Sequence, residues 1–264
     1  MDEVFREIDQ FSLNMFSLKN KVAMITGGNK GLGLAYAVAL AKAGADIFLA
    51  CRSKTNWEEI ENLIKKENRK VEFMEVDLST KDMAKKAVDK CFEVYGRIDI
   101  LVNNAGIIRR SPITEFEDKD WEDVIDVNLN SIYYLSQSAV KYMVKQGGGK
   151  IINIASMLSF QGGKFVPSYT ASKHGVVGLT KAFASELADK NIQTNAIAPG
   201  YIKTANTAPI RQDEKRNIEI LSRIPAGRWG ETSDLMGAMV FLASPASDYV
   251  NGHILAVDGG WLVR

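Results

Sequence analysis

Short apolar runs rich in β-branched residues alternate along the chain with longer segments whose apolar positions recur at helical spacing. The short runs predict seven strands, at residues 22–26, 46–50, 71–76, 98–103, 150–155, 192–198 and 252–257. The longer segments predict helices at about 31–43, 56–68, 80–95, 118–146, 167–189 and 231–243. This alternation predicts one α/β domain, in which a doubly wound parallel sheet of about seven strands has helices on both faces.

Two segments lie outside the alternation. Residues 1–20 carry apolar side chains without a clean period, so we expect an N-terminal extension that precedes a single domain of residues 21–264. Residues 203–229 form a long connection before the last predicted helix. Because inert connections of that length are uncommon, we expect a mobile lid over a substrate site.

The composition then excludes several classes of function. Lys plus Arg number 33 and Asp plus Glu number 32, so a net charge of +1 argues against a nucleic-acid or membrane-surface partner. The two cysteines, Cys51 and Cys91, cannot build a disulfide framework, and two histidines cannot make a rich metal site. No signal peptide or membrane span is recognisable, and we expect a soluble cytoplasmic protein without a metal.

A glycine-rich turn, with Gly27, Gly28, Gly31 and Gly33, follows the first predicted strand. Glycine permits positive φ and close approach of the backbone, so N–H groups at the next helix N-terminus can meet a pyrophosphate. The Gly-x-x-x-Gly-x-Gly spacing differs from the usual dinucleotide fingerprint, and a merely tight turn is the alternative. Its place after the first strand of a doubly wound pattern favours a dinucleotide site.

The charges after the second strand bear on which dinucleotide binds. An NAD site would place an acid about 20 residues after the loop, to bond the ribose 2′-hydroxyl. Residues 50–53 read Ala-Cys-Arg-Ser and contain no acid. Lys30 and Arg52 could jointly neutralise a 2′-phosphate, which favours NADP(H), although both could also be solvated surface cations.

A candidate reacting group lies in the helix predicted at 167–189. Tyr169 and Lys173 are four residues apart and share one helical face. A nearby ammonium lowers the pKa of a phenol, which would make Tyr169 a usable general acid/base. Ser156, just past the fifth strand, could hydrogen-bond a substrate oxygen at the carboxyl edge of the sheet. Asn128, placed within the long helix 118–146, could hold a water beside Lys173.

At this point the chain, from about residue 18 to 264, resembles the short-chain dehydrogenase/reductase family. The resemblance is carried by TGGNKGLG at 26–33, Asp77, NNAG at 103–106, Asn128, Ser156, YTASK at 169–173 and Pro199–Gly200. It implies a Rossmann-type fold and hydride transfer between a nicotinamide cofactor and a CH–OH group. It also implies a homotetramer, with the C-terminal residues 261–264 near a subunit interface.

The resemblance further implies roles for individual residues. Tyr169 would be the acid/base, Lys173 would bind the nicotinamide ribose and lower the pKa of Tyr169, and Ser156 would orient the substrate oxygen. Asn128 would hold a water that links Lys173 to solvent. Asp77 would contact adenine, Asn103 the adenosine side, and the backbone after Pro199–Gly200 with Thr204 the nicotinamide amide. The implied cofactor site comprises Gly27, Asn29, Lys30, Gly31, Leu32, Gly33, Arg52, Asp77, Leu78, Asn103, Ala105, Gly106, Tyr169, Lys173, Pro199, Gly200, Ile202 and Thr204.

The substrate side is marked by Arg109 and Arg110, which directly follow NNAG. A guanidinium there, assigned to Arg109, could take a substrate carboxylate in a bidentate pair, whereas a solvated surface pair is the alternative. Met157 and Gln161, close behind Ser156, would supply apolar and polar contacts in the same pocket.

Longer segments such as NNAGIIRR, KIINIASMLSFQGG and IPAGRWG resemble family members that act on sugar acids. That resemblance implies oxidation of 2-dehydro-3-deoxy-D-gluconate at C5, or reduction of 3-deoxy-2,5-hexodiulosonate in uronate catabolism. Members of that branch commonly use NAD, which leaves the choice between NAD and NADP open. The alternatives are interconversion of gluconate and 5-keto-gluconate, reduction of a 3-oxoacyl carrier protein, and a nicotinamide-binding regulator without catalysis.

Overall fold

The computed structural model describes residues 8–9 and 11–264, and it confirms the predicted α/β fold. Seven parallel strands form one sheet in the order β3-β2-β1-β4-β5-β6-β7. The strands are β1 (Val22–Thr26), β2 (Asp46–Cys51), β3 (Val71–Glu75), β4 (Ile100–Asn103), β5 (Gly149–Ile154), β6 (Ile192–Pro199) and β7 (Ile254–Val257). The strand order reverses between β1 and β4, so a ligand crevice is expected beyond the carboxyl ends of these two strands.

Helices connect the strands, and they lie in the segments for which the sequence predicts helices or a lid. They are α1 (Gly31–Lys42), α2 (Trp57–Lys65), α3 (Lys81–Tyr95), α4 (Asp118–Ile125), α5 (Ser131–Gln146), α6 (Pro167–Leu187), α7 (Ala208–Gln212), α8 (Glu214–Arg223) and α9 (Met236–Ala243). The helical segment predicted over 118–146 is confirmed, and it runs without a break from α4 to α5. A π-helical turn, Asp126–Asn130, joins α4 to α5 and contains Asn128. Such turns are rare and occur frequently at functional sites.

Successive side chains of a strand point to opposite sides of the sheet, and helices cover the side chains on both faces. On one face, Ile25 and Ile47 belong to an apolar cluster that includes residues of α1 and α9. On the other face, Met24 and Phe48 belong to a cluster that includes residues of α3 and α5. Each fully buried side chain of this size contributes roughly 1.5–3 kcal/mol to folding. The sheet is therefore a rigid base for the residues at its carboxyl edge.

The N-terminal extension at 1–20 and the predicted lid at 203–229 both contain regular structure or packed residues. Of the extension at 1–20, residues 1–7 and 10 lie outside the described part. Leu18 is fully buried in the core, and its N–H donates to the carbonyl of Ala43 at 2.7 Å. Within the predicted lid at 203–229, a 3₁₀ turn (Ala205–Thr207), α7 and α8 follow one another. That this segment moves stays a prediction.

Within the described residues, no helix is long and apolar enough to cross a membrane. The same residues bring together no group of three or more His, Cys, Asp or Glu side chains that could hold a metal ion. Cys51 and Cys91 are both free and buried.

Candidate active site

A cavity of about 740 Å³ opens at the carboxyl edge of the sheet. This volume lies within the usual range for small-molecule and cofactor sites. The predicted site residues that line it are Gly27, Asn29, Lys30, Gly31, Leu32, Gly33, Arg52, Asp77, Leu78, Ala105, Gly106, Ser156, Met157, Gln161, Tyr169, Lys173, Pro199, Gly200, Ile202 and Thr204. Three predicted residues, Asn103, Arg109 and Asn128, lie outside this lining.

The glycine-rich turn has the geometry that an anion site requires. Gly27 and Gly31 have φ values of +64° and +54°, a region that side chains disfavour. A Cβ on Gly33 would lie 2.2 Å from the carbonyl oxygen of Gly27, so only glycine fits there. Lys30 precedes α1 and makes no side-chain capping bond to it. The first-turn N–H groups of α1 therefore remain available at the cavity, which fits the pyrophosphate of a dinucleotide.

Asn104 fixes this turn to the end of β4. Its Nδ2 donates to the carbonyls of Thr26 and Gly27 at 2.9 and 3.1 Å. The hydroxyl oxygen of Thr26 accepts the N–H groups of Asn104 and Ala105 at 3.0 and 2.9 Å. Four hydrogen bonds thus join the two strands that flank the crevice.

The expected contact of Asn103 with the adenosine is not supported by its position. Its Nδ2 donates to Ser136 Oγ at 3.1 Å and to Asn153 Oδ1 at 2.9 Å, and only 2% of the residue is exposed. Because side chains alternate along a strand, Asn103 points into the protein while its neighbour Asn104 faces the cavity. An adenosine contact of Asn103 stays a prediction, and its side chain lies outside the cavity lining.

Lys30 and Arg52 are exposed at the cavity on the side of the glycine-rich turn. Neither has a carboxylate within salt-bridge distance among the described residues. Asp77 lines the same region, and its Oδ1 accepts the N–H of Ser79 at 3.0 Å. Two cations without a carboxylate partner, next to the predicted pyrophosphate loop, would suit the 2′-phosphate of NADP(H).

Tyr169 and Lys173 lie one turn apart on α6 and meet Ser156 at the end of β5. Lys173 Nζ is 5.6 Å from the centroid of the Tyr169 ring and donates to the carbonyl of Ile154 at 2.6 Å. Only 4% of Lys173 is exposed. The three predicted side chains are therefore assembled around one point of the cavity.

Burial governs the protonation of this pair. It raises the pKa of Tyr169, while a hydrogen bond from Ser156 and the positive charge of Arg110 act in the opposite direction. Burial also lowers the pKa of Lys173 to about 8. We expected the ammonium of Lys173 to lower the pKa of Tyr169. The cation whose charge opposes the effect of burial is Arg110, and the net shift of the Tyr169 pKa is upward.

Ser156 is held by a turn that the sequence analysis did not single out. It precedes the 3₁₀ turn Met157–Ser159, and its Oγ accepts the N–H of Leu158 at 3.1 Å. Ser159 Oγ accepts the N–H of Ser156 at 3.2 Å and donates to the carbonyl of Lys173 at 2.7 Å. The Ser-x-x-Ser spacing, which resembles a capping box, was the available signal.

Asn128 reaches the site indirectly. Its Oδ1 accepts the N–H of Ile107 at 2.8 Å, and its Nδ2 donates to the carbonyl of Ile107 at 2.9 Å. Nδ2 also approaches Ser172 Oγ at 3.4 Å. The side chain is thus hydrogen-bonded to the segment after β4 and to α6, and it lies outside the cavity lining. The expected water between Asn128 and Lys173 stays a prediction.

The two adjacent arginines differ in position, and Arg109, for which a substrate contact was expected, lies outside the cavity lining. Arg109 Nε donates to Asp120 Oδ1 at 2.9 Å, and its Nη2 is 3.8 Å from Asp123. Arg110 lines the cavity instead. Arg109 is therefore bonded to α4, while Arg110 is the arginine of the pair that lines the cavity.

Two aromatic residues that sequence reasoning missed in the cavity lie outside the lid, Tyr201 just before it and Trp261 in the C-terminal turn. Tyr201 and Trp261 line the cavity, and their rings pack edge to face with centroids 4.7 Å apart. Trp229 packs on Tyr201 at 5.3 Å, and its Nε1 donates to Asn217 of α8 at 2.7 Å. These aromatic contacts fix the lid against the C-terminal turn.

The chain matches the family model for short chain dehydrogenase over residues 21–215. It is 57% identical to 2-dehydro-3-deoxy-D-gluconate 5-dehydrogenase of Bacillus subtilis strain 168, over 94% of this chain and 97% of the relative. A crystal structure of an Agrobacterium tumefaciens protein with bound NADP is 51% identical, with a TM-score of 0.89 over 95% of this chain and 100% of the other. The gluconate 5-dehydrogenase of Burkholderia cenocepacia J2315, in complex with NADP and tartrate, is 38% identical. Its TM-score is 0.92, with 96% and 100% of the two chains covered. The chain belongs to the short-chain dehydrogenase family.

Proposed function

We propose that the protein oxidises 2-dehydro-3-deoxy-D-gluconate at C5 and, in reverse, reduces 3-deoxy-2,5-hexodiulosonate. The observation that carries the proposal is the assembly of Tyr169, Ser156 and Lys173 in a cavity that Arg110 also lines. A guanidinium at the reacting end suits an anionic, oxygen-rich substrate. The 57% identity to the B. subtilis relative of that name supports the choice of sugar acid.

The cavity also suits a nicotinamide dinucleotide. We assign the pyrophosphate to the N-terminus of α1, and a 2′-phosphate to Lys30 and Arg52, which favours NADP(H) over NAD(H). Lys173 and Thr204 would hold the nicotinamide end. When bound, the nicotinamide supplies or accepts the hydride. The NADP bound in the A. tumefaciens and B. cenocepacia relatives supports this assignment.

The side chains of the protein manage the proton and the substrate oxygen. In oxidation, Tyr169 removes the proton of the C5 hydroxyl, and in reduction it returns one. Ser156, fixed by its own turn, orients the same oxygen. The charge of Arg110 favours the phenolate and stabilises negative charge that develops on the oxygen. Lys173 is the buried ammonium beside Tyr169, and we assign it to the nicotinamide ribose.

A panel of substrates tests the proposal against its alternatives. Initial rates with NADP⁺ and NAD⁺ would be compared for 2-dehydro-3-deoxy-D-gluconate and gluconate, and with NADPH for a 3-oxoacyl carrier protein. We expect the highest kcat/KM for 2-dehydro-3-deoxy-D-gluconate. A higher value for gluconate would favour the second candidate, a gluconate 5-dehydrogenase, which the likeness to the B. cenocepacia enzyme supports. Turnover of the carrier protein alone would contradict both.

We also propose that the protein is a homotetramer that works in the cytoplasm. The family resemblance supports the assembly, and two free thiols, Cys51 and Cys91, are compatible with a reducing compartment. Light scattering coupled to size exclusion should give four times the mass of the chain. A monomeric mass would contradict the proposed assembly.

A further inference from the structure

Helix α8 brings three charged side chains to the substrate end of the cavity. Arg216, Glu219 and Arg223 all line it, at spacings of three and four residues that share one helical face. Arg216 Nη1 lies 2.6 Å from Glu219 Oε2, so these two charges compensate each other. Arg223 has no carboxylate within salt-bridge distance among the described residues. It is therefore the uncompensated cation of this helix.

The guanidinium of Arg223 is held in place by an aromatic ring. Its central carbon lies 4.0 Å from the centroid of the Trp261 ring, in cation–π geometry. Trp261 is only 4% exposed, which fixes the surface on which the guanidinium rests. Arg264 adds a bond from its Nη1 to the carbonyl of Ser222 at 3.1 Å. The C-terminal turn therefore positions the end of α8 and presents Arg223 in a defined orientation.

The same end of α8 lies close to the reacting group. Ile220 and Ile224 form one buried cluster with Trp261 and with Met157, the residue after Ser156. Arg223 lies between these two isoleucines in sequence. Because Met157 belongs to the same buried cluster, the last turn of α8 lies near the turn that holds Ser156.

The length of the proposed substrate separates its one charged group, the C1 carboxylate, from the reacting carbon C5. When C5 is at Tyr169, the C1 carboxylate lies four carbon–carbon bonds of about 1.5 Å away. We assign Arg110, which lines the cavity, to the reacting end. The carboxylate then lies away from this end, and the lid helix α8 supplies a further cation of the cavity lining. That cation is Arg223, and Tyr201, whose ring packs on the same Trp261, offers a hydroxyl.

We propose that Arg223, supported by the ring of Trp261, binds the C1 carboxylate of the sugar acid. This inference rests on the proposed function and names the subsite that selects acids over neutral sugars. A planar guanidinium can bind a carboxylate through two parallel hydrogen bonds. Binding through α8 would also link occupancy of the site to the position of the lid.

The test compares Arg223→Met with Lys215→Met, a matched control. Lys215 is exposed on the same helix and lies outside the cavity lining. KM and kcat would be measured with 2-dehydro-3-deoxy-D-gluconate and with its C1 amide, which lacks the charge. For Arg223→Met we expect KM for the acid to rise roughly 10- to 100-fold, the range for a lost charged hydrogen bond. KM for the amide, and both values for Lys215→Met, should stay within about twofold of the wild type.

An equal change of KM for acid and amide would overturn the inference. Titration with NADPH and a thermal melt show whether Arg223→Met remains folded. If it does not, Arg223→Lys decides the question, since a lysine keeps the charge but loses the bidentate geometry. A KM that rises for the acid alone supports the subsite, and an unchanged KM overturns it. A wild type that does not oxidise the acid refutes the proposed function itself, whereas normal wild-type turnover with an unaffected Arg223 variant refutes only the subsite.

Discussion

The hydroxyl of Ser159 donates a 2.7 Å hydrogen bond to the main-chain carbonyl of Lys173. The same oxygen accepts the N–H of Ser156 at 3.2 Å, and Ser159 is only 5% exposed. Ser156 follows β5, whereas Tyr169 and Lys173 are on α6. One buried hydroxyl therefore sets the distance between the group that orients the substrate oxygen and the helix that carries the acid/base.

We predict that Ser159→Ala lowers kcat about tenfold, because small misplacements of reacting groups are costly. The Kd of NADPH and the KM of the sugar acid should change little. Loss of the hydrogen bonds should also reduce the free energy of unfolding by about 1 kcal/mol. Ser159→Thr, which keeps the hydroxyl, should recover much of kcat.

The control for this prediction is Ser247→Ala. Ser247 is also buried, and its hydroxyl donates to the carbonyls of Leu242 and Ser244, both at 3.1 Å, outside the cavity lining. The Ser247→Ala variant should have a lower free energy of unfolding than the wild type but the same kcat. If the two variants lose kcat equally, Ser159 has a structural role only.

Arg109 and Arg110 offer a matched pair of neighbouring substitutions. We predict that Arg110→Ala lowers kcat/KM for the sugar acid roughly 10- to 100-fold, because a charge beside Tyr169 and the reacting oxygen is lost. Arg109→Ala should stay within about threefold of the wild type, since its guanidinium is bonded to Asp120. Steady-state kinetics of the two variants check this, and the reverse ranking would restore the sequence-based assignment.

Cofactor preference is expected to depend on Lys30 and Arg52. We predict that the double variant Lys30→Ala, Arg52→Ala raises the Kd of NADPH at least about tenfold, because two charges on the 2′-phosphate are removed. The Kd of NADH should change less than about threefold. Fluorescence titrations measure both constants, with Lys54→Ala as control, because Lys54 lies over the Trp57 ring and outside the cavity lining. An equal loss for both dinucleotides would contradict a phosphate site.

The parallel doubly wound sheet and the residues that follow its strands could be predicted from the sequence, because the alternation of strands and helices is a local pattern. Ser156 and the glycine-rich turn are of this kind, whereas Tyr169 and Lys173 were found from their spacing on one helix. What the sequence could not show was the direction of neighbouring side chains at strand ends. Asn103 faces inward where Asn104 faces the cavity, and the same ambiguity affected the arginine pair.

Contacts between segments that are distant in sequence also could not be predicted from a sequence pattern. The pairing of Arg223 with Trp261 joins residues 38 positions apart through the fold of the lid. The π-helical turn at Asn128 has no recognised signature in the sequence, and helical periodicity continues across it. Such features depend on packing against α6 and on the segment after β4.

Lys173 should give the free protein a contribution to stability with a defined dependence on pH. Burial lowers its pKa to about 8 in the folded chain, against an ordinary value of 10.5. Between these values the unfolded chain binds more protons, so this contribution to the free energy of unfolding rises with pH. Denaturant titrations would give the free energy of unfolding of the wild type and of Lys173→Met. The wild-type value minus the variant value should rise from pH 8 to 10.5. A difference that is flat or moves the other way would contradict the buried ammonium.

The most direct test of the central claim is the rate of 2-dehydro-3-deoxy-D-gluconate oxidation by wild type and Tyr169→Phe, measured side by side with NADP⁺. We predict turnover by the wild type and a kcat lower by about 10²–10⁴-fold in the variant, because the proton acceptor is removed. The Kd of NADPH should be the same for both. A Tyr169→Phe variant that turns over at the wild-type rate, or a wild type that does not oxidise the acid, would contradict the claim.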